Sequence, residues 1–240
     1  MNTIKELEKI VEAHGGLDYW RSLKSIDVEM SASGFLFTSK RVAPMNHGRL
    51  TISTEKPEVT IHSYPVPGQV AKFYGEGLVE IQDLSGKVLQ ARKNPRAMFG
   101  SLRRLLVWDA LDFAYFCGYA MWNYMTMPFL LLGEGVEVRV STGNSLNCLT
   151  KLTVGFPKGF PTHSAIQDFY FDQDWHLQRH DYTAEVVGSW ANAAHLCESY
   201  KQFSGLSLPT KRRVYPKLLF NKPLPILTLV AIDVHDVTPL

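Results

Sequence analysis

The chain has 240 residues, 45% hydrophobic, 20% charged and 12% aromatic, which excludes a disordered chain and allows one sizeable core without disulfide or metal staples. Its 25 lysines and arginines against 23 aspartates and glutamates leave a net charge of +2, too weak an overall field to collect phosphates along a nucleic acid or an anionic bilayer. Cys117, Cys148 and Cys197 form neither a CxxC pair nor metal-ligand spacing, so they are expected to be reduced and buried.

The first residues, MNTIKELE, lack the basic start, apolar run and small-residue cleavage site of a secretory signal. A cytoplasmic chain is the expectation, with a leader removed beforehand as the alternative. Ile4, Leu7, Ile10 and Val11 recur at helical spacing, Thr3 and Glu6 make a capping box, and Gly15 and Gly16 end the helix. Residues 25–33, 49–53, 59–64, 77–83 and 87–91 are strand-length and β-rich, separated by Gly, Pro, Asn or Ser clusters, and predict a meander of hairpins.

A helical insert is predicted over about 95–132. Pro95 suits a first helical position, residues 108–124 carry nothing to stop a helix, and Gly133 and Gly135 end it. Strands resume at 136–140, 146–156, 163–171, 177–186, 193–203, 206–214 and 226–234. With no repeat and no linker, the order predicts a single α+β domain over 1–240, mainly β. In it an antiparallel sheet wraps an apolar cavity that the insert helps to line.

Residues 113–132 contain no charge and reach the length of a membrane span. Asn123, three tyrosines, Pro128 and the flanking Asp109 and Asp112 favour a buried helix over a span or a membrane-surface helix. Contact with a membrane is not the favoured reading.

Four aromatic residues of the insert, Trp108, Tyr115, Tyr119 and Trp122, are seven, four and three apart and fall on one helical face. That face is either plain core or the wall of a ligand cavity whose hydroxyl and indole groups orient an apolar or aromatic molecule. In 179–185, alternation puts His180 and Tyr182 on one side of a strand and Arg179, Asp181 and Glu185 on the other. Pointing inward, His180 and Tyr182 are an imidazole base and a phenol donor; pointing outward, they are cross-strand partners.

His195 lies among small apolar residues on the next strand and could approach His180, whereas His163 and His176 carry less argument. Pro209 marks 206–214 as an edge strand, and Arg212 faces away from Lys211 and Arg213, where it could hold a carboxylate or enolate oxygen. No histidine spacing suits a metal, no glycine-rich loop opens a helix for a phosphate, and no GxSxG elbow is present, so no cofactor is expected.

The order of helix, Ala13-His14-Gly15-Gly16 with Trp20 soon after, hairpins, helical insert and long late strands through Phe203-Ser204-Gly205-Leu206 to Leu208-Pro209-Thr210 resembles the bacterial lipoprotein-carrier (LolA/LolB-like) superfamily. The resemblance implies an incomplete β-barrel that shields acyl chains or other apolar molecules. Carriers of that kind work behind a signal sequence or a lipid-attachment cysteine, which this sequence does not show. The resemblance therefore favours members that use the same cup otherwise, including a cofactor-free rearrangement of an aromatic intermediate.

Three functions follow as expectations. The first is enclosure of a hydrophobic small molecule, with Trp108, Tyr115, Tyr119 and Trp122 as wall and Tyr182 and His195 as polar contacts. The second is a cofactor-independent enzyme of secondary metabolism with His180 as acid or base, Tyr182 as donor and Arg212 as oxyanion partner. The third is a peripheral membrane or interaction protein that docks through the insert.

Overall fold

A computed structural model describes residues 3–141 and 150–240, apart from the side chain of Arg103. Cys148 and the start of the strand expected at 146–156 lie outside the described residues. Among the described residues, thirteen antiparallel strands form one sheet. In chain order they are β1 (Ser25–Ser33), β2 (Met45–Ser53), β3 (Glu58–His62), β4 (Gln69–Tyr74), β5 (Leu78–Asp83), β6 (Val88–Lys93), β7 (Glu137–Ser141), β8 (Thr150–Gly155), β9 (Ile166–Phe171), β10 (Leu177–Thr183), β11 (Asn192–Phe203), β12 (Leu206–Pro216) and β13 (Val230–Pro239). Their order across the sheet is β6-β5-β4-β3-β2-β1-β13-β12-β11-β10-β9-β8-β7, so β1 and β13 join two meanders at the centre and β6 and β7 are the free edges.

Among the described residues, five α-helices accompany the sheet: α1 (Thr3–Ala13), α2 (Leu17–Ser22), α3 (Phe35–Lys40), α4 (Leu102–Leu106) and α5 (Ala110–Thr126). The start of α5 is held by a reciprocal cap. The Asp109 side chain accepts from the Asp112 backbone N–H, and the Asp112 side chain accepts from that of Asp109. Asp112 is fully buried yet satisfied, because Arg92 and Arg104 donate to it at 2.7 and 2.6 Å.

The sheet must curl. Tyr115 of α5 packs on Phe73 of β4, and Tyr124, nine residues on and hence about 14 Å along the helix, reaches Tyr182 of β10. In a flat sheet β4 and β10 would stand roughly 34 Å apart. The strands therefore wrap α5, every residue of which from Leu111 to Thr126 is buried. Gly118 permits the close approach, since a Cβ there would lie 2.5 Å from Phe73.

Several expectations are corrected. Strand β12 is internal, between β11 and β13, and not an edge. Pro209 is tolerated because β13 pairs with β12 only along 211–214, so the missing N–H of Pro209 faces no ladder. Trp108 precedes the Asp109 cap and so does not share the face of α5. The charge-free stretch 113–132 is broken after Thr126 and continues as a short 3₁₀ turn, Phe129–Leu132, and no helix among the described residues is long and apolar enough to cross a membrane. Strand β4 and helix α3 were not anticipated.

Candidate functional site

Two features lie inside the curl: an apolar cleft and a buried polar cluster that meets it. The cleft runs between α5 and the central strands. Phe113, Phe116, Cys117, Ala120, Met121 and Tyr124 of α5 border one side, Met30, Ala32, Val230 and Ile232 of β1 and β13 the other, and Phe37 of α3 covers it. The small side chains of Ala32, Cys117 and Ala120 leave the seam between helix and sheet incompletely filled, with about 30 Å³ open, room for a solvent molecule. Among the described residues, the only oxygen-bearing side chains on this surface are those of Tyr124 and Tyr182. A larger trough of about 540 Å³ on the outside of β1, β2 and β13 is bordered by Asp27, Glu29, Arg49, His62 and Asp236, a hydrated charged surface.

None of Trp108, Tyr115, Tyr119 and Trp122 borders the cleft. At 100° per residue Tyr115, Tyr119 and Trp122 do share one face of α5, but the cleft lies on the opposite face. Their rings are packed solid. Tyr115 lies against Phe73 and Phe99, Tyr119 against Phe116 and His163, and Trp122 against Phe160. Trp108 packs on Phe99 and Phe116. This aromatic face seals α5 against the segments that follow β6 and precede β9.

Strand β10 points both of its expected residues inward. His180 and Tyr182 face α5, while Arg179 and Asp181 pair on the other side at 2.6 and 2.8 Å, as alternation requires. His195 of β11 is directly opposite His180 in register, and Arg212 of β12 is opposite Cys197. Thus His180, Tyr182, His195 and Arg212 meet in one place, and Tyr124 joins them. The His195 ring is 4.7 Å from that of Tyr124, and the Arg212 guanidinium lies 5.0 Å above it.

Sequence reading passed over the hub of this cluster. His163, on the loop before β9, hydrogen-bonds Tyr124 Oη through Nε2 at 2.7 Å and Tyr119 Oη through Nδ1 at 3.2 Å. A neutral imidazole has one donor and one acceptor, so one hydroxyl donates to the ring and the other accepts. Tyr124 continues to Tyr182 at 3.2 Å, and the ring of Tyr182 stacks on His163 with centroids 3.9 Å apart. His180 donates from Nε2 to the Gln167 side-chain oxygen at 2.5 Å, and the Gln167 amide donates to Thr162 Oγ1 and the Ser164 carbonyl. No sequence signal marks His163 or Gln167, since their partners lie elsewhere in the chain.

Burial sets the charge state. It lowers the His163 pKa to about 3, with Arg96 adding to the effect, and pushes His180 and His195 well below the ordinary range. The same burial raises Tyr124 well above its ordinary value. The three imidazoles are neutral at pH 7. Arg212 donates to the Tyr124 carbonyl at 3.0 Å and to Cys197 Sγ at 3.3 Å, with no carboxylate paired to it among the described residues. Among the described residues, the Arg212 Nε and both ring nitrogens of His195 have no hydrogen-bond partner. Among the described residues no group of three or more His, Cys, Asp or Glu side chains is placed to hold a metal ion.

No protein-family model matches the sequence, and no curated protein sequence matches it significantly. Solved structures do match it. A LolA superfamily protein from Nitrosomonas europaea superposes with a TM-score of 0.52 at 11% identity, covering 99% of this chain and 93% of that one. A domain named for outer membrane lipoprotein sorting, from Vibrio parahaemolyticus, gives 0.53 at 10% identity with the same coverage. At this identity the likeness is one of fold: the chain has an open, curved, LolA-like sheet enclosing a helix.

Proposed function

We propose that this protein takes a hydrophobic or aromatic small molecule between α5 and the central strands of its curved sheet. The apolar body lies along Phe113, Cys117, Ala120 and Met121, and the hydroxyls of Tyr124 and Tyr182 hold its one polar group. The observation that carries this reading is the cleft itself: a seam of small and apolar side chains that ends on two tyrosine hydroxyls within the buried core. The structural neighbour named for lipoprotein sorting fits this class of ligand. The seam holds little open space, so uptake requires α3 and α5 to move outward by roughly the thickness of an acyl chain or ring, as a gap of one methylene is felt throughout a packed core.

The catalytic alternative gives His180 the role of acid or base, Tyr182 that of donor and Arg212 that of oxyanion partner. The continuous hydrogen-bond chain from Tyr182 through Tyr124 to His163 favours it, because its outer end opens on the cleft. Against it, imidazoles with such depressed pKa values are poor bases at pH 7, and Arg212 sits behind the Tyr124 ring and not on the cleft surface. Binding is the reading the chemistry supports best. Native mass spectrometry of gently purified protein and titration with neutral N-phenyl-1-naphthylamine test it. Saturable probe binding weakened by Ala120→Phe supports it, and no binding of probe or co-purified molecule removes it.

A further inference from the structure

Half of the eighteen large apolar side chains that are exposed among the described residues lie on four linked segments at one end of the sheet. Leu219, Phe220 and Ile226, on the β12–β13 connection, are 83%, 89% and 88% exposed, Trp190 on the β10–β11 turn 73%, and Leu102 and Leu106 of α4 82% and 70%. Backbone hydrogen bonds tie these segments together. Lys217 N–H donates to Asn192 at the β10–β11 turn, Phe35 and Leu36 of α3 donate to Thr228 and Leu229, and Trp108 beyond α4 donates to Lys40 of α3. The Lys40 ammonium also donates to the carbonyls of Arg104 and Leu105. These apolar groups therefore form a single rim.

Its charge is one-sided. Residues 35–43, 102–108, 186–191 and 217–229 carry six basic residues, Lys40, Arg41, Arg103, Arg104, Lys217 and Lys222, and no acidic one, although Arg104 is buried against Asp112 and Lys217 pairs with Asp181 at 3.4 Å. Glu185, just outside, is held by Arg96 at 2.8 Å. Arg41 and Lys222 are exposed. Soluble monomers rarely expose apolar side chains in such a group, and exposed cations beside them match the headgroup region of an anionic bilayer. The tip is built to protrude, since consecutive left-handed residues, Phe220 and Asn221 at φ 59°, turn the chain there.

We propose that this rim docks on an anionic lipid bilayer, with Leu219, Phe220 and Ile226 entering the headgroup boundary and Arg41 and Lys222 meeting lipid phosphates. The rim is continuous with the cover of the cleft: α3 carries Phe37, and the β12–β13 connection runs into Val230, both on the cleft surface. Docking thus sets the mouth of the proposed binding site against the source of an apolar ligand. This inference rests on the binding reading for its purpose but not for its evidence.

Co-flotation with phosphatidylglycerol–phosphatidylcholine vesicles and with pure phosphatidylcholine vesicles, at low and high salt, tests it. The full chain should float with anionic vesicles, less so in high salt. The triple variant Leu219→Ser, Phe220→Ser and Ile226→Ser should lose at least about tenfold in partitioning, because its side chains contribute only through burial in lipid. Ile4→Ser, an exposed site on α1, should lose nothing. N-phenyl-1-naphthylamine binding without vesicles, measured on both proteins, separates the two claims: probe binding without flotation overturns docking alone, and flotation without probe binding overturns the cleft reading alone. Equal flotation of the triple variant, or self-association through the rim with no vesicle binding, overturns the inference.

Discussion

Lowering the pH should unfold this protein well before its carboxylates protonate. His14, His163, His180 and His195 are buried, and burial depresses the pKa of each, to about 4 for His14, about 3 for His163 and well below the ordinary range for the other two. The unfolded chain binds a proton at each near pH 6.5, whereas the folded chain does not, so stability rises with pH up to that value and falls as pH drops below it. Between pH 7.5 and 5.5 one such histidine costs about 1.4 kcal/mol, and four together cost about 5.5 kcal/mol, a large share of a typical total stability of about 5–15 kcal/mol. Glu76, raised by its own burial, works in the opposite direction, a single group against four.

Urea unfolding followed by circular dichroism at pH 7.5, 6.5 and 5.5 measures this directly. The midpoint should fall steeply across the range with an unchanged slope, and His163→Gln should flatten the dependence by about a quarter while lowering stability at pH 7.5. Stability that stays level from pH 7.5 to 5.5 would show that these rings already carry protons, or reach water, in the folded state, and the neutral cluster would be wrong.

Three further outcomes follow from packing and pairing. Gly118→Ala should destabilise by about 1–2 kcal/mol in urea, since overlap with Phe73 outweighs the helix propensity alanine adds; unchanged stability would mean that α5 and β4 are not in close contact. Arg212→Met should be neutral or stabilising by up to about 4 kcal/mol, because the guanidinium is buried without a carboxylate; a large loss would reveal a partner. Asp112→Asn should cost about 3 kcal/mol, leaving Arg92 and Arg104 against an uncharged group at the start of α5, with helix loss read by circular dichroism.

The layout of this fold is legible in the sequence where periodicity is clean. Alternation in 177–183 correctly separates His180 and Tyr182 from Arg179 and Asp181, and the isolation of Arg212 from its basic neighbours follows from the same rule. Strand β4 escaped notice because its six residues, QVAKFY, mix polar and apolar side chains without strict alternation, and α3 because six residues between Gly34 and Arg41 are too short for a helical period. Pro209 argued for an edge strand because sequence does not show where a neighbouring strand stops. The aromatic stripe of α5 pointed to the wrong side for a physical reason. A helix buried all round has no polar face to mark its orientation, and the bulky face filled its surroundings while the small residues Cys117 and Ala120 left the seam.

The central claim is that an apolar ligand lodges between α5 and strands β1 and β13. Photolabelling with a diazirine-bearing alkyl probe, followed by peptide mapping, tests it most directly. Labelled residues should fall on Phe113, Cys117, Ala120, Met121, Val230 or Ile232 and disappear with excess unlabelled competitor. Competable labelling confined to the outer surface at Asp27, Arg49 and His62, or absent from the interior altogether, would contradict the account.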